Sequence, residues 1–205
     1  MTKRYGFYVN LDSCTGCKAC QMACKDKNNL GVGVLWRRVV EVSDGGWINR
    51  NGLWINNTRD YFVSVACMHC EQPICKEVCP TRAITQRADG IVLIDAKKCV
   101  GCRYCEWACP YGAPQFDEAA RGMTKCNFCY DDLDAGKPPA CVSACQMRVL
   151  EFGDIEELRA QHGQLDAVYP LPQRELTQPA IILTPHSHTV PANVESAQIG
   201  NREEI

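Results

Sequence analysis

Alternating apolar and polar residues predict short strands over much of this chain, with few stretches long enough for a helix. Residues 5–10 alternate well enough for a first strand. A short helix is predicted over residues 20–28. Residues 149–152 predict another strand, and a helix capped by Asp154 should then run to about His162, where Gly163 ends it.

Residues 31–66 have the pattern of a β insertion. Runs rich in β-branched residues at 34–42 and 61–65 predict two strands. Between them, residues 44–46 (Asp-Gly-Gly) and 51–52 (Asn-Gly) are turn signals. Three tryptophans fall in this insertion and are expected to pack in a core or an interface: Trp36, Trp47 and Trp54.

The last part of the chain has little periodicity. Prolines interrupt it repeatedly after residue 169, and its main apolar run is residues 181–183. Such a segment is too poor in apolar surface to fold alone. We therefore expect residues 164–205 to be an extended tail that docks on a partner or stays disordered.

Cysteine content changes this picture of an ordinary globular chain. There are 16 cysteines in 205 residues, a density that in a short secreted protein would suggest disulfides. Their close spacing, and first residues without the apolar core of a signal peptide, argue against disulfides. No run of about 18 apolar residues occurs, so the sequence predicts no direct membrane span.

The densest group of cysteines lies in residues 99–110, which read Cys-Val-Gly-Cys-Arg-Tyr-Cys-Glu-Trp-Ala-Cys-Pro. This C-x2-C-x2-C-x3-C-P spacing is that of bacterial ferredoxins, which bind [4Fe-4S] clusters. Three thiolates spaced by two residues can wrap one cluster in a tight loop, for which Gly101 supplies freedom in φ. Cys109 lies one helical turn beyond Cys105 and is therefore expected to reach a second cluster.

Three further groups of four cysteines have related spacings, and the four groups together use all 16 cysteines. The first group has the same spacing without the proline: Cys14, Cys17, Cys20 and Cys24. The second has a longer middle gap and ends in Pro80: Cys67, Cys70, Cys75 and Cys79. The fourth stretches that gap further: Cys126, Cys129, Cys141 and Cys145. A set of fours that leaves no cysteine over indicates metal ligands more strongly than a lone C-x-x-C does.

The crossed-ligand rule of two-cluster ferredoxins assigns these cysteines to four [4Fe-4S] clusters. A hairpin predicted at residues 81–95, with an Asp-Gly turn at 89–90, makes the second and third groups neighbours and leaves the first and fourth as an outer pair. The predicted ligands are Cys14, Cys17, Cys20 and Cys145 for cluster 1; Cys24, Cys126, Cys129 and Cys141 for cluster 2; Cys67, Cys70, Cys75 and Cys109 for cluster 3; and Cys79, Cys99, Cys102 and Cys105 for cluster 4.

These patterns predict an α+β fold made of two bacterial-ferredoxin-like modules, one nested in the other, each with two [4Fe-4S] clusters. The predicted segments are an outer module of residues 1–30 plus 110–163, a β insertion of 31–66, an inner module of 67–109, and the tail of 164–205.

Charge adds candidates for the surroundings of the clusters. The formal net charge of −2 counts every cysteine as neutral, and four bound clusters would bring it to about −10. This negative balance predicts no nucleic-acid partner. Cations close to ligand cysteines are candidates for compensating it: Lys18, Lys76, Arg103 and Lys125. His69, between Cys67 and Cys70, is expected to hydrogen-bond a cluster sulfur or to pack against the loop.

Zinc is the alternative metal, since it too binds four cysteines, and a zinc-structured interaction protein is the alternative of another class. Zinc sites usually join two separated cysteine pairs, whereas here a fourth cysteine follows three close ones, which favours clusters. Sixteen ligands for four clusters leave no open iron, and the sequence has no nucleotide fingerprint and no nucleophile-base constellation. We therefore predict no catalytic residue and an electron relay whose chemistry lies on other subunits.

The cysteine motifs resemble those of the four-cluster iron–sulfur subunits of membrane-linked molybdopterin oxidoreductases. The likeness lies in C-x-H-C-x2-P-x-C at residues 67–75, in the run from Cys99 through Cys109-Pro-Tyr-Gly-Ala-Pro, and in Met-Thr-Lys-Cys at 123–126. More narrowly, Tyr5-Gly-Phe, Cys14-Thr-Gly-Cys-Lys, His162-Gly and Pro170-Leu-Pro resemble the B subunits of anaerobic dimethyl sulfoxide reductases.

This resemblance implies a three-part complex used in anaerobic respiration. An integral membrane anchor oxidises menaquinol, the iron–sulfur subunit relays the electrons, and a molybdopterin catalytic subunit reduces dimethyl sulfoxide and other S- and N-oxides. Cluster 1 would face the catalytic subunit and cluster 4 the quinol site. Cys102 stands where some nitrate reductase relatives have tryptophan, which implies four full clusters. Formate, polysulfide and tetrathionate oxidoreductases share these motifs and are the alternatives.

The resemblance also implies a peripheral membrane complex. The expected location is the periplasmic face, reached by co-export with a partner that carries a twin-arginine signal. The cytoplasmic face is the alternative.

Overall fold

The computed structural model describes residues 3–192 and 197–205, and in these ranges it contains twelve strands and six α-helices. The strands are β1 (Tyr5–Asn10), β2 (Arg38–Asp44), β3 (Trp47–Arg50), β4 (Leu53–Asn56), β5 (Arg59–Val65), β6 (Ile84–Gln86), β7 (Val92–Ile94), β8 (Gln115–Asp117), β9 (Gly122–Thr124), β10 (Leu150–Asp154), β11 (Ile181–Thr184) and β12 (Gln198–Ile199). The α-helices are α1 (Ala19–Lys27), α2 (Ile74–Glu77), α3 (Tyr104–Ala108), α4 (Tyr130–Asp134), α5 (Ala140–Ser143) and α6 (Ile155–His162).

Short strands and short helices alternate with the cysteine loops, in agreement with the predicted α+β class. The helix expected near the first cysteine group is α1, and the predicted β6–β7 hairpin is present. Asp154 caps α6 as predicted, since its carboxylate accepts a hydrogen bond from the Glu156 N–H at 2.9 Å. None of the helices within residues 3–192 and 197–205 has the length and apolarity needed to cross a bilayer.

The central sheet joins the start of the chain to its last third. Strand β1 pairs antiparallel with β10 on one side and parallel with β11 on the other. Phe7 and Val9 lie in the main apolar core, whereas Tyr8 on the other face packs against α6. Both faces of this sheet are therefore covered by protein.

Residues 164–205 differ from the prediction of an extended tail that docks on a partner or stays disordered. Ile182 and Leu183 of β11 are at most 1% exposed, and the Ala180 N–H donates to the Met68 carbonyl. Pro179 and Pro185 flank the strand, where proline does not interrupt the ladder. A strand buried on both faces is a continuous apolar run without alternation, and this is why the sequence pattern did not reveal it. The short strand β12 also pairs within the same molecule, beside β2.

The insertion contains the two predicted turns and two sheets. Strands β2 and β5 pair over their whole length, and β3 and β4 form a separate hairpin. Asn51 and Gly52 have φ of 54° and 84°, the two positive values that a type I′ hairpin turn needs. Trp47 and Trp54 are each 67% exposed on this hairpin, so the expectation of core packing was wrong for both, and an interface role stays a prediction.

One apolar core connects all four predicted segments. It contains Phe7 from the outer segment, Val63 from the insertion, Ile91 from the inner segment and Leu183 from the tail. Several cysteines belong to the same core, which places the thiols inside it rather than on separate surface loops. The boundaries of the predicted modules stay a prediction.

Candidate metal centres

Two of the cysteine loops have the same backbone conformation. Gly16 and Gly101 have φ of 67° and 68°, and Lys18 and Arg103, two residues further on, have φ of 60° and 65°. Each loop leads directly into a helix, α1 or α3. Gly101 has the positive φ that was predicted for it. There is also little room for a side chain, because a Cβ there would come within 3.1 Å of the Arg121 carbonyl oxygen. Equal spacing of cysteines thus corresponds to equal local structure.

The first loop closes around a small cavity. Its lining includes four cysteines: Cys14, Cys17, Cys20 and Cys145. Cys145 comes from the end of α5, more than a hundred residues later in the sequence, and α5 packs on α1. We call this space the Cys14 cavity.

Two further cavities have four cysteines each. The lining of the Cys67 cavity includes Cys67, Cys70, Cys75 and Cys109. The lining of the Cys99 cavity includes Cys79, Cys99, Cys102 and Cys105. Cys105 and Cys109 stand one turn apart at α3 and line different cavities, as do Cys75 and Cys79 at α2. Equal sets of four thiols suit one kind of group in all three.

The remaining four cysteines interact with one another: Cys24, Cys126, Cys129 and Cys141. Burial, with smaller contributions from charge on Cys141 and Cys129, outweighs the opposing effect of Arg37 and raises the pKa of Cys24 to about 12. Burial likewise holds the pKa of Cys126 well above its usual range, followed by charge on Cys24. These mutual effects place the four thiols around one buried region.

The thiol-lined cavities follow one another in a row. Cys20 of the Cys14 cavity and Cys141 of the Cys24–Cys126 region lie in the same apolar core, where α5 packs on α1. Cys67 and Cys126 belong to one buried cluster, so that region adjoins the Cys67 cavity. The turns at α2 and α3 then connect the Cys67 and Cys99 cavities. The order therefore runs from the Cys14 end to the Cys99 end.

The donor set fits iron–sulfur clusters. Backbone N–H groups point at cysteine sulfurs, for example Val149 N–H to Cys145 at 3.3 Å and Ala83 N–H to Cys79 at 3.3 Å, as they do around sulfur-ligated clusters. Burial also raises the pKa of Cys70 and of Cys75 to about 12.

Each of these cavities has the four thiols that a [4Fe-4S] cluster needs. Within residues 3–192 and 197–205, no group of three or more Cys, His, Asp or Glu side chains is arranged around a single ion. The crossed positions at α2 and α3, where one helical turn separates ligands of two different sets, are those of two-cluster ferredoxins.

The structure brings two of the four predicted cations to a thiol set. Lys18 lines the Cys14 cavity and forms an ion pair with Glu204. Lys125 is 4% exposed, lines the Cys67 cavity and donates to the Cys126 carbonyl at 3.1 Å. Arg103 instead pairs with Glu106 at the surface, and Lys76 is exposed.

His69 is buried, with 1% of its surface exposed. Its Nδ1 accepts the Val92 N–H at 3.0 Å, so the neutral ring carries its hydrogen on Nε2, which has no partner among the described residues. Burial, followed by the charge of Lys125, holds the pKa of His69 well below its usual range. The ring contacts Phe128 edge-on and does not line the Cys67 cavity, so its bond to a cluster sulfur stays a prediction.

Sequence reasoning missed Arg37, which lies far from any cysteine in the sequence. It is 2% exposed, and the charges that raise its pKa are on cysteines of two different sets. The one available signal was the pair Arg37-Arg38 inside the strand-forming run of residues 34–42.

Comparisons with known proteins agree with the donor set. Residues 58–155 match the 4Fe-4S dicluster domain, and residues 5–26 match a 4Fe-4S binding domain. The protein is 46% identical over 205 residues to the B subunit of anaerobic dimethyl sulfoxide reductase of Escherichia coli K12, covering 100% of both sequences. It is 36% identical to the B subunit of polysulfide reductase of Wolinella succinogenes, over 91% of this sequence and 96% of that one. It is 37% identical to the formate dehydrogenase iron-sulfur subunit of the same organism, over 76% and 84%.

Proposed function

Because this protein belongs to the family of anaerobic dimethyl sulfoxide reductase B subunits, iron–sulfur electron-transfer subunits with four [4Fe-4S] clusters, we propose that it relays electrons from menaquinol to a molybdopterin catalytic subunit. An integral membrane anchor oxidises the menaquinol. The catalytic subunit reduces dimethyl sulfoxide and other S- and N-oxides in anaerobic respiration.

The observation that carries this proposal is the row of thiol-lined cavities. Three of them each have a full set of four cysteines taken from two groups of the sequence. On this basis cluster 1 is held in the Cys14 cavity, cluster 3 in the Cys67 cavity and cluster 4 in the Cys99 cavity. Cluster 2 is held by Cys24, Cys126, Cys129 and Cys141. Bound clusters supply one-electron transfer.

The protein's own residues hold and shield these groups. Apolar side chains such as Val39 and Leu150 line the Cys14 cavity, and Met68 and Ala113 line the Cys67 cavity, beside thiols that are mostly buried. Backbone N–H groups donate to the sulfurs and so stabilise negative charge there. With every cysteine used as a ligand, no iron is left open for a substrate, and the role is that of a relay.

The Cys99 end has the surface that suits the anchor. Three large apolar side chains around that loop are exposed: Val100, Tyr104 and Trp107. Exposed apolar groups this close together are typical of protein interfaces. We propose that the anchor covers this patch, and that the Cys14 end faces the catalytic subunit, at the periplasmic face of the membrane. The cytoplasmic face is the alternative location.

Replacing Trp107 by glutamate should release the subunit from the anchor. Trp107 is 73% exposed, so the free subunit should keep its fold, whereas a charge in a covered aromatic contact should weaken binding by roughly 30-fold. The measurement is the fraction of the subunit that sediments with membranes containing the anchor.

The matched control is Val32→Glu, because Val32 is fully exposed in the loop after α1 and belongs to no predicted interface. It should leave the sedimenting fraction unchanged. If the Trp107→Glu subunit sedimented with the membranes as fully as wild type, the anchor could not be placed on this patch.

Metal analysis of anaerobically purified protein tests the cofactor part of the proposal. We expect about sixteen iron and as many acid-labile sulfides per molecule. About four zinc without sulfide would instead establish the zinc-structured interaction protein. The substrate is tested on the co-purified complex with a viologen dye, and oxidation of the reduced dye by dimethyl sulfoxide is expected. Oxidation of the reduced dye only by polysulfide or tetrathionate, or reduction of the oxidised dye by formate, would reassign the relay to one of those enzymes.

A further inference from the structure

Arg37 is a buried cation without an acidic partner. Its side chain is among the largest that are fully buried, and it forms no ion pair with any carboxylate among residues 3–192 and 197–205. Its guanidinium carbon lies 4.6 Å from the centre of the Phe7 ring. An arginine stays charged in a protein interior, so negative charge must lie close to it.

The negative charge beside Arg37 comes from cysteines of two sets. Burial acts to lower the pKa of Arg37, but charge on four cysteines outweighs it and raises that pKa: Cys141, Cys20, Cys126 and Cys24. Cys20 belongs to the proposed cluster 1 set and the other three to the cluster 2 set. Arg37 therefore lies at the junction of the two outer clusters.

Hydrogen bonds connect Arg37 to the cluster 1 set through Ser64. Its Nη1 donates to the Ser64 hydroxyl at 3.0 Å and to the Ser64 carbonyl at 3.4 Å. Because arginine has no acceptor, the Ser64 hydroxyl accepts from Arg37 and keeps its own hydrogen free to donate. That hydroxyl lies 3.4 Å from the Cys20 sulfur. The contacts therefore run from Arg37 to Ser64 to Cys20.

The other amino group of Arg37 is unpaired. Nη2 is buried and has no hydrogen-bond partner within the part of the protein that the structure describes. A buried N–H group of a guanidinium needs an acceptor. The backbone N–H of Arg37 also faces the Cys24 sulfur closely enough to act on its pKa as a hydrogen-bond donor. This contact places Arg37 beside the cluster 2 set, whose bound thiolates and sulfides would supply the missing acceptors.

We propose that Arg37 is the shared counter-cation of clusters 1 and 2, holding the reduction potentials of both above the values they would have without it, and that Ser64 extends this effect to Cys20 alone. The inference rests on the proposed function, because it uses the ligand sets given there. Reduction adds one electron to a cluster and breaks no bond, and Arg37 stays protonated in both states. A fixed positive charge stabilises the reduced, more negative state, and burial protects that effect from screening by salt.

Reductive titration followed by electron paramagnetic resonance of the complete complex tests the proposal, since it yields four midpoint potentials. In the Arg37→Met variant two of the four midpoint potentials should fall by about 59 mV each. For a one-electron step this shift is a roughly tenfold change in the equilibrium constant of reduction. Arg37→Lys, which keeps the charge, should leave both closer to wild type. Ser64→Ala should lower one of these two and leave the other.

The matched control is Arg148→Met. Arg148 lies three residues after Cys145 but is exposed, so solvent screens its charge and none of the four potentials should move comparably.

The outcomes separate this inference from the proposed function. Fewer than four clusters in the wild-type complex would overturn the proposed function itself. With four clusters present and two potentials lowered in Arg37→Met but not in Arg148→Met, the counter-cation is established. Unchanged potentials in Arg37→Met would overturn it and leave Arg37 a packing residue. If Arg37→Met does not assemble, Arg37→Lys and Ser64→Ala decide. The inference would be overturned if Ser64→Ala lowered no midpoint potential, or if Arg37→Lys shifted all four midpoint potentials equally.

Discussion

Turnover driven by quinol should be abolished when Cys102 is replaced by serine, while turnover driven by a reduced viologen dye should stay close to that of wild type. Cys102 is one of the four cysteines that line the Cys99 cavity. With three thiolates left, we expect cluster 4 to lose one iron and become a three-iron cluster with a higher potential. An electron from quinol would then stay on this three-iron cluster and would not pass to the other clusters. The cluster lies at the Cys99 end of the row, which we assign to the anchor.

The two electron sources separate this effect from a general loss of structure. A small dye can reduce the row elsewhere, so dye-driven turnover reports that the other three clusters and the catalytic subunit are intact. Electron paramagnetic resonance of the oxidised variant should show the three-iron signal. Unaltered quinol-driven turnover in a variant that carries this signal would contradict the placement of cluster 4 between quinol and the rest of the relay.

Ile182→Asp should prevent the subunit from folding and from holding iron. Ile182 is completely buried in β11, the strand that completes the central sheet beside β1. A carboxylate at that position would lose the apolar contacts with Tyr8, Ile155 and Leu158 and would be taken out of water into an apolar cluster. The cost, about 3 kcal/mol or more, is a large part of the stability of a typical domain. The measurement is soluble yield and iron per molecule after anaerobic purification.

Leu176→Asp is the matched control, because it makes a similar exchange in the same part of the sequence. Leu176 is 59% exposed, so the charge stays in water and soluble yield and iron content should be those of wild type. Normal iron content in Ile182→Asp would mean that β11 is dispensable, as expected of a tail that only docks on a partner.

Local features of the fold were predictable because they depend on neighbouring residues. The Asn51-Gly52 turn and the cap of α6 at Asp154 follow from backbone preferences that these residues carry in any context. The cysteine spacing likewise predicts the loop at Gly101, whose positive φ is present. Such interactions span a few residues and are visible in the sequence.

Features that depend on distant parts of the sequence were not predictable in this way. Strand β11 pairs with a strand more than 170 residues away, and its apolar run has no period that distinguishes it from a docking segment. The tryptophans of the β3–β4 hairpin have the composition of core residues, yet they are exposed. Which surface covers a side chain is decided by the packing of whole elements.

What the sequence determined by itself is the chemistry: sixteen thiols in four groups, with a spacing that suits iron–sulfur clusters and leaves none over for another task. Only the tertiary structure decided which charges act on those thiols. It buries Arg37 among cysteines of two sets and leaves Arg103, next to Cys102 in the sequence, at the surface. The physical reason is that ligand spacing is a local property of the backbone, whereas the effect of a charge depends on its distance in space and on its burial.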